Sequence, residues 1–115
     1  SRYMDIDLAL KSFTALSQET RLQALLVLVK HGKQGLAAGE LAVKIDVPQN
    51  TLSFHLSNLK NAGLVKSRKE KNSIIYYSDI DVLQELVQFL LTDCCAVDKS
   101  TCKGIEKILQ KECCL

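Results

Sequence analysis

Cys94, Cys95, Cys102, Cys113 and Cys114 are the only cysteines of this 115-residue chain, and all of them fall after residue 93. Thiolates are soft ligands that select thiophilic ions over Mg²⁺ or Ca²⁺. The adjacent thiols of Cys94 and Cys95 can supply two ligands to one centre if the chain unwinds between them. The intervening stretch AVDKST is long enough to fold Cys102 back onto that centre. Lys99 and Lys103 lie where a cation favours the thiolate over the thiol. Tetrahedral zinc prefers four ligands in C-x₂₋₄-C spacing, which this tail lacks. Cys113 and Cys114 can complete such a site or hold a second ion, so Zn²⁺ and Cd²⁺ stay open. The same thiols can also pair on oxidation, or be an inert tail.

An odd cysteine count with two adjacent pairs makes a poor disulfide framework, and no secretory segment opens the chain, so a reducing cytoplasm is expected. The first residues, SRYMD, read as a tag remnant before Met4. The longest apolar run, LVQFLL, is far short of the ~20 residues that cross a bilayer, so no membrane partner is expected. Hydrophobic residues make up 47% and charged residues 24%, as in an ordinary globular domain. No catalytic dyad or phosphate loop is present, and no histidine lies near the cysteines, so an enzyme is not expected.

The elements that must position chemistry follow from periodicity. Residues 5–16 carry apolar residues with helical spacing, and Ser17 with Glu19 reads as the start of a second helix. That helix is apolar on most of its circumference from Leu22 to Val29, as a buried central helix would be, and ends at Gly32. GKQG reads as a loop, AAGELAVKI as a short helix, and DVPQN as the turn before another helix. In that helix Leu52, Leu56 and Leu59 form a buried stripe. Gly63 stops it, LVKSRK and SIIYYS read as two strands, and DIDVLQELVQFLLTD resumes a helix with Asp79 or Asp81 as cap. Residues 1–93 are therefore expected as one domain and 94–115 as a cysteine-rich effector-binding tail with a short helix in KGIEKILQKE.

This is the element order α-α-α-α-β-β-α of a mainly helical winged helix-turn-helix. The exposed face of the fourth helix has no acidic residue. Gln49, Asn50, Thr51, Ser53, His55, Ser57 and Asn58 can donate to and accept from base edges in a major groove. Phe54 suits packing or a thymine-methyl contact better than a stacking platform. Residues 47–78 hold five cations against Glu70 alone, a local +4 in a chain of net +2. Arg68, Lys69 and Lys71 of the hairpin are expected on the adjacent phosphate backbone or in the minor groove. Taken singly, a polar helix face is usually solvated surface and a basic hairpin is weak; it is their order around the leucine stripe that points to DNA.

The stretch ALSQETRLQALLVL resembles the ALSDPTRLRIL opening of the ArsR/SmtB family of metal-sensing bacterial repressors. ELAVKIDVPQNTLSFHLSNLKNAGLV is similar to that family's helix-turn-helix, with S-x-H-L at Ser53–Leu56, and SRKEKNSIIYYS is similar to its wing. The resemblance covers roughly residues 6–92. It implies a homodimer joined by the first and last helices, which binds a two-fold operator and releases it on metal binding. The apolar surplus of Leu83, Leu86, Val87, Phe89, Leu90 and Leu91 fits such pairing.

The resemblance also narrows the effector. Family members with a C-x-C site carry it on the third helix, where this chain has Ala42 and Lys44. Zinc sensors use His and carboxylates of the last helix, and residues 79–93 contain no His. Arsenite-responsive members carry a Cys-Cys pair directly after that helix, which TDCC and Cys102 resemble. As(III), with Sb(III) as a second candidate, is therefore expected on Cys94, Cys95 and Cys102, three thiolates being what trivalent arsenic takes. The competing expectations are a redox- or persulfide-sensing or Zn/Cd-sensing repressor of the same fold, or a metal-binding interaction module that does not touch DNA.

Overall fold

The computed structural model of the protein describes residues 4–92, together with Ser100, Lys103, Gly104 and Lys107. All five cysteines, and so the expected thiol site, lie outside the described residues. So does most of KGIEKILQKE, the stretch expected as a short helix, of which the described residues Lys103, Gly104 and Lys107 are helical and exposed.

Within residues 4–92, five helices and a small antiparallel sheet form the fold: α1 (Ile6–Leu16), α2 (Glu19–His31), β1 (Leu36–Ala37), α3 (Ala38–Ile45), α4 (Gln49–Asn61), β2 (Val65–Glu70), β3 (Ser73–Ser78) and α5 (Ile80–Leu91). The helix starts are set by side chains that satisfy orphan N–H groups. Asp5 accepts from the Leu8 N–H at 2.9 Å and Asp79 from the Val82 N–H at 3.3 Å. The start of α2 differs from expectation: Gln18, not Ser17, is its cap, its Oε1 accepting from the Arg21 N–H at 2.8 Å.

The loop expected at GKQG is also more structured than its glycines suggest. Residues 32–34 form a 3₁₀ turn, and Leu36–Ala37 add a third strand, giving the sheet order β1-β3-β2. Leu36 stands opposite Tyr76 and Ala37 opposite Ile75, so the helix-turn-helix begins on the base of the wing. In the wing itself Val65 stands opposite Ser78 and Glu70 opposite Ser73, leaving Lys71 and Asn72 as a two-residue turn.

Leu25 and Leu28 of α2, Leu41 of α3, Leu52, Leu56 and Leu59 of α4, and Leu64 and Val65 beyond it form one core. Each such leucine stabilises the fold by about 1.5–3 kcal/mol. Met4, Ala9 and Leu86 form a second cluster that seats α5 on α1. The second helix is not buried all round: Leu22, Leu26 and Val29 stay exposed on one side while Ala24, Leu25 and Leu28 are buried. Apolar residues are likewise left open on α1 (Ile6, Leu10, Phe13) and α5 (Val87, Leu90).

Candidate nucleic-acid interface

Two close turns aim α4. At the end of α3, Asp46 takes a left-handed conformation (φ 57°), and the Val47 N–H reaches back to the Ala42 carbonyl at 3.1 Å. Aspartate tolerates this region better than most residues with a side chain. At the far end, Gly63 (φ 82°) closes α4: its N–H donates to the Lys60 carbonyl and that of Leu64 to the Leu59 carbonyl, both at 3.0 Å. This paired arrangement satisfies the last carbonyls and turns the chain sharply into β2.

The buried side of α4 is Leu52, His55, Leu56 and Leu59, spaced i, i+3, i+4 and i+7. Gln49, Asn50, Thr51, Ser53 and Ser57 are exposed as expected, and Asn58 is half-buried. Ser53 Oγ donates to the Gln49 carbonyl at 3.0 Å, and Asn58 Nδ2 donates to the Phe54 carbonyl at 3.1 Å. These exposed bonds are local and leave acceptor lone pairs free, so both groups can turn toward a base edge.

His55 is a correction. It is 9% exposed and faces inward, so it is not placed to touch DNA. Arg21 Nη1 lies 3.2 Å from His55 Nδ1, and Arg21 Nε donates to the Ala15 carbonyl at 2.6 Å. A guanidinium has no acceptor, so Nδ1 must accept and the imidazole is neutral with its proton on Nε2. Burial first, and the Arg21 charge second, hold its pKa below the ordinary imidazole value. The pair ties α4 to α2 and to the end of α1.

The wing cations divide into two groups. Arg68 is committed within the fold: Nη1 donates to the Lys33 carbonyl at 2.6 Å, Nη2 to the Gln34 carbonyl at 2.9 Å, and Nε pairs with Glu70 at 2.7 Å. Its guanidinium also lies 5.3 Å from the Tyr77 ring centroid. Arg68 is thus a clamp between the wing and the 3₁₀ turn, which corrects its expected role as a phosphate contact. Lys66 pairs with Asp79 at 3.4 Å. Among the described residues Lys60, Lys69 and Lys71 have no ion pair, and the latter two sit at the wing tip, exposed.

That division is testable by salt titration of DNA binding. Lys69→Ala and Lys71→Ala should each flatten the plot of log affinity against log salt, by about 0.9 for each phosphate left without its cation. Arg68→Ala should weaken binding while leaving the slope within error of wild type. A slope change for Arg68→Ala as large as that of the lysines would return Arg68 to the phosphates.

Two residues of this region stand outside the polar pattern. Arg21 is 34 positions from its histidine partner, beyond any local signal in the sequence. Phe54, 66% exposed on the outer face, is legible as an apolar residue off the leucine stripe. Among the described residues no group of three or more His, Cys, Asp or Glu side chains gathers as a metal site. No helix among the described residues is long and apolar enough to cross a membrane.

The geometry is that of a winged helix-turn-helix with a reading helix and a cationic wing. A helix-turn-helix domain family matches residues 16–68. An uncharacterized HTH-type transcriptional regulator of Methanocaldococcus jannaschii is 34% identical over 82 residues, 71% of this chain and 90% of that protein. An ArsR-like transcriptional regulator from Rhodococcus sp. RHA1 superposes with a TM-score of 0.67 at 28% identity, covering 89% of this chain and 92% of the other. The homodimeric winged helix-turn-helix DNA-binding domain of a possible ArsR-family regulator from Mycobacterium bovis gives 0.60 at 30% identity, over 76% and 82% of the two chains. This chain belongs to the ArsR-like winged helix-turn-helix transcriptional regulators. Its relatives regulate transcription through a DNA-binding domain and are not enzymes.

Proposed function

We propose that the protein is a homodimeric repressor that binds a two-fold operator and releases it when a thiophilic effector, As(III) first and Sb(III) second, is taken up by Cys94, Cys95 and Cys102. The observation that carries the DNA part is the acid-free outer face of α4 beside the unpaired Lys69 and Lys71 of the wing. Two copies of α4 would enter successive major grooves about 34 Å apart. The dimer reading is supported by the apolar residues left open on α1 and α5, Leu10 at 57% and Leu90 at 60% exposure among them.

The effector part rests on donor chemistry. Cys94 and Cys95 follow α5 closely and Cys102 stands further along the same stretch, and three thiolates suit As(III). A cadmium resistance regulatory protein CadC homolog of Staphylococcus aureus, 37% identical over 68% of this chain, is a relative named for a thiophilic metal. Cys113 and Cys114 would extend the site or serve a second ion. A tail drawn toward the end of α5 would act on the cluster of Leu86, Met4 and Ala9 that seats α5 on α1. The end of α1 in turn accepts from Arg21, which holds His55 on α4. A coupling of about 1–3 kcal/mol between the two sites is the usual range and would suffice to empty an operator that is only moderately saturated.

The test is fluorescence anisotropy of the reduced protein on DNA from upstream of its own gene, titrated separately with arsenite, Zn²⁺ and diamide. Release by arsenite alone is expected. Cys102→Ser should keep wild-type DNA affinity and lose the arsenite response, and an intact response in that variant would remove Cys102 from the site. Release by diamide without metalloid would transfer the same thiols to oxidant sensing.

A further inference from the structure

We propose that Phe54 is a specificity-determining residue that reads the C5-methyl group of a thymine in the operator, a proposal that rests on the DNA-reading function above. Phe54 is 66% exposed in a face whose other exposed members, Gln49, Asn50, Thr51, Ser53 and Ser57, are all short or polar. A phenyl ring offers no hydrogen bond. Of the base edges presented in the major groove, only thymine offers an apolar group to match it. Over cytosine the same ring would cover the N4 amino donor without replacing its water, so the contact discriminates between the two pyrimidines.

Position and support both fit this role. Phe54 is the sixth residue of the thirteen in α4, in the half of a recognition helix that meets base edges. Its ring stands edge-to-face on the His55 ring, centroids 5.6 Å apart at 66°. His55 is held in turn by Arg21 at 3.2 Å, and Arg21 by the Ala15 carbonyl at 2.6 Å. The Phe54 carbonyl accepts from Asn58 Nδ2. The ring is therefore positioned before DNA arrives, and contact costs it little rotamer freedom. The buried histidine, which has no place on the DNA, acquires a purpose as the base on which the reading ring rests.

Uracil differs from thymine by the one methyl group concerned, which makes the test specific. Binding sites are selected from random-sequence duplexes with the reduced wild-type protein, and each thymine of the winning site is then replaced by deoxyuridine. At one position per half-site the replacement should weaken wild-type binding about fourfold, the worth of one buried methyl, and roughly fifteenfold when both half-sites are changed. Phe54→Ala, folded by circular dichroism, should bind the thymine and deoxyuridine duplexes equally, and Phe54→Leu should retain part of the preference. The proposal is overturned if deoxyuridine is neutral everywhere for the wild type, or if the preference survives in Phe54→Ala. It is equally overturned if Phe54→Ala changes the oligomeric state, since the ring would then face protein. Failure to enrich any sequence would instead bring down the DNA-reading function itself.

Discussion

Gly35→Ala is expected to lower stability by about 3 kcal/mol or more, a drop in Tm of roughly 12–20 °C for a domain of this size. Gly35 has φ 64° and ψ −166°, a region open in practice only to glycine. A methyl group there would collide with the Tyr76 carbonyl oxygen and come within 2.9 Å of Ile75 Cγ2. The first obstacle is backbone of β3 and cannot swing aside. What the glycine allows is the approach of β1 to β3, the pairing of Leu36 with Tyr76 and Ala37 with Ile75. Because α3 begins directly after β1, separating those strands would also loosen the helix-turn-helix from the wing, and DNA affinity should fall with stability. Gly32→Ala is the control. Gly32 has a similar conformation (φ 56°, ψ −146°), but an added methyl meets nothing within 4 Å. It should cost only the backbone strain, about 1–3 kcal/mol. Thermal unfolding of the two variants separates strain from collision, and equal losses would show that the close approach to β3 is not what the glycine serves.

The same region shows what can be read from sequence and what cannot. Leu52, Leu56 and Leu59 announce the buried side of α4 because apolar residues at helical spacing have only one stable arrangement. His55 lies on that stripe, three residues after Leu52 and four before Leu59, yet its polarity suggests the outer face. Applying the period to the position rather than to the residue type places it inside. Its partner cannot be found this way, since Arg21 is on another helix. In β2, alternation alone sets Arg68 on the face opposite Lys69, and on the same face as Glu70 two residues on. That separates the clamp from the exposed lysine, although the carbonyls of Lys33 and Gln34 that receive Arg68 are visible only once the chain is folded. β1 is silent in the sequence because two residues give no period, and the glycine before it signals only a turn. Family membership carries the winged architecture and DNA reading. The proposed effector rests on the thiols and on their resemblance to those of arsenite-responsive members, not on the fold.

Arg21→Ala is expected to cost about 2–3 kcal/mol and to change how stability depends on pH. The guanidinium donates to two acceptors, the Ala15 carbonyl and His55 Nδ1, and hydrogen bonds from a charged donor contribute about 1.5–3 kcal/mol. Arg21→Lys should recover only part of this, because one ammonium on a flexible stem does not span both acceptors with the geometry of a planar fork. In the wild type, the folded His55 is held below the ordinary imidazole value of about 6.5. As pH falls, the unfolded chain therefore takes up the proton first. Stability from this group is complete above about pH 6.5, declines as pH falls toward the folded pKa, and levels off below it. Protonation in place would set an imidazolium against a guanidinium at 3.2 Å and remove the acceptor that α4 offers to Arg21. His55→Asn keeps an acceptor at the same branch of the side chain and cannot titrate, so its Tm should lose this part of the decline between pH 7.5 and 5.5. In Arg21→Ala the decline should be shallower than in the wild type, since the cationic neighbour is gone and only burial still opposes the proton. Wild type and His55→Asn falling in parallel across that range would assign the pH dependence to other groups. A double-mutant cycle on the two residues measures their coupling directly. A coupling near zero would reduce the contact to proximity and leave α4 held by its leucines alone.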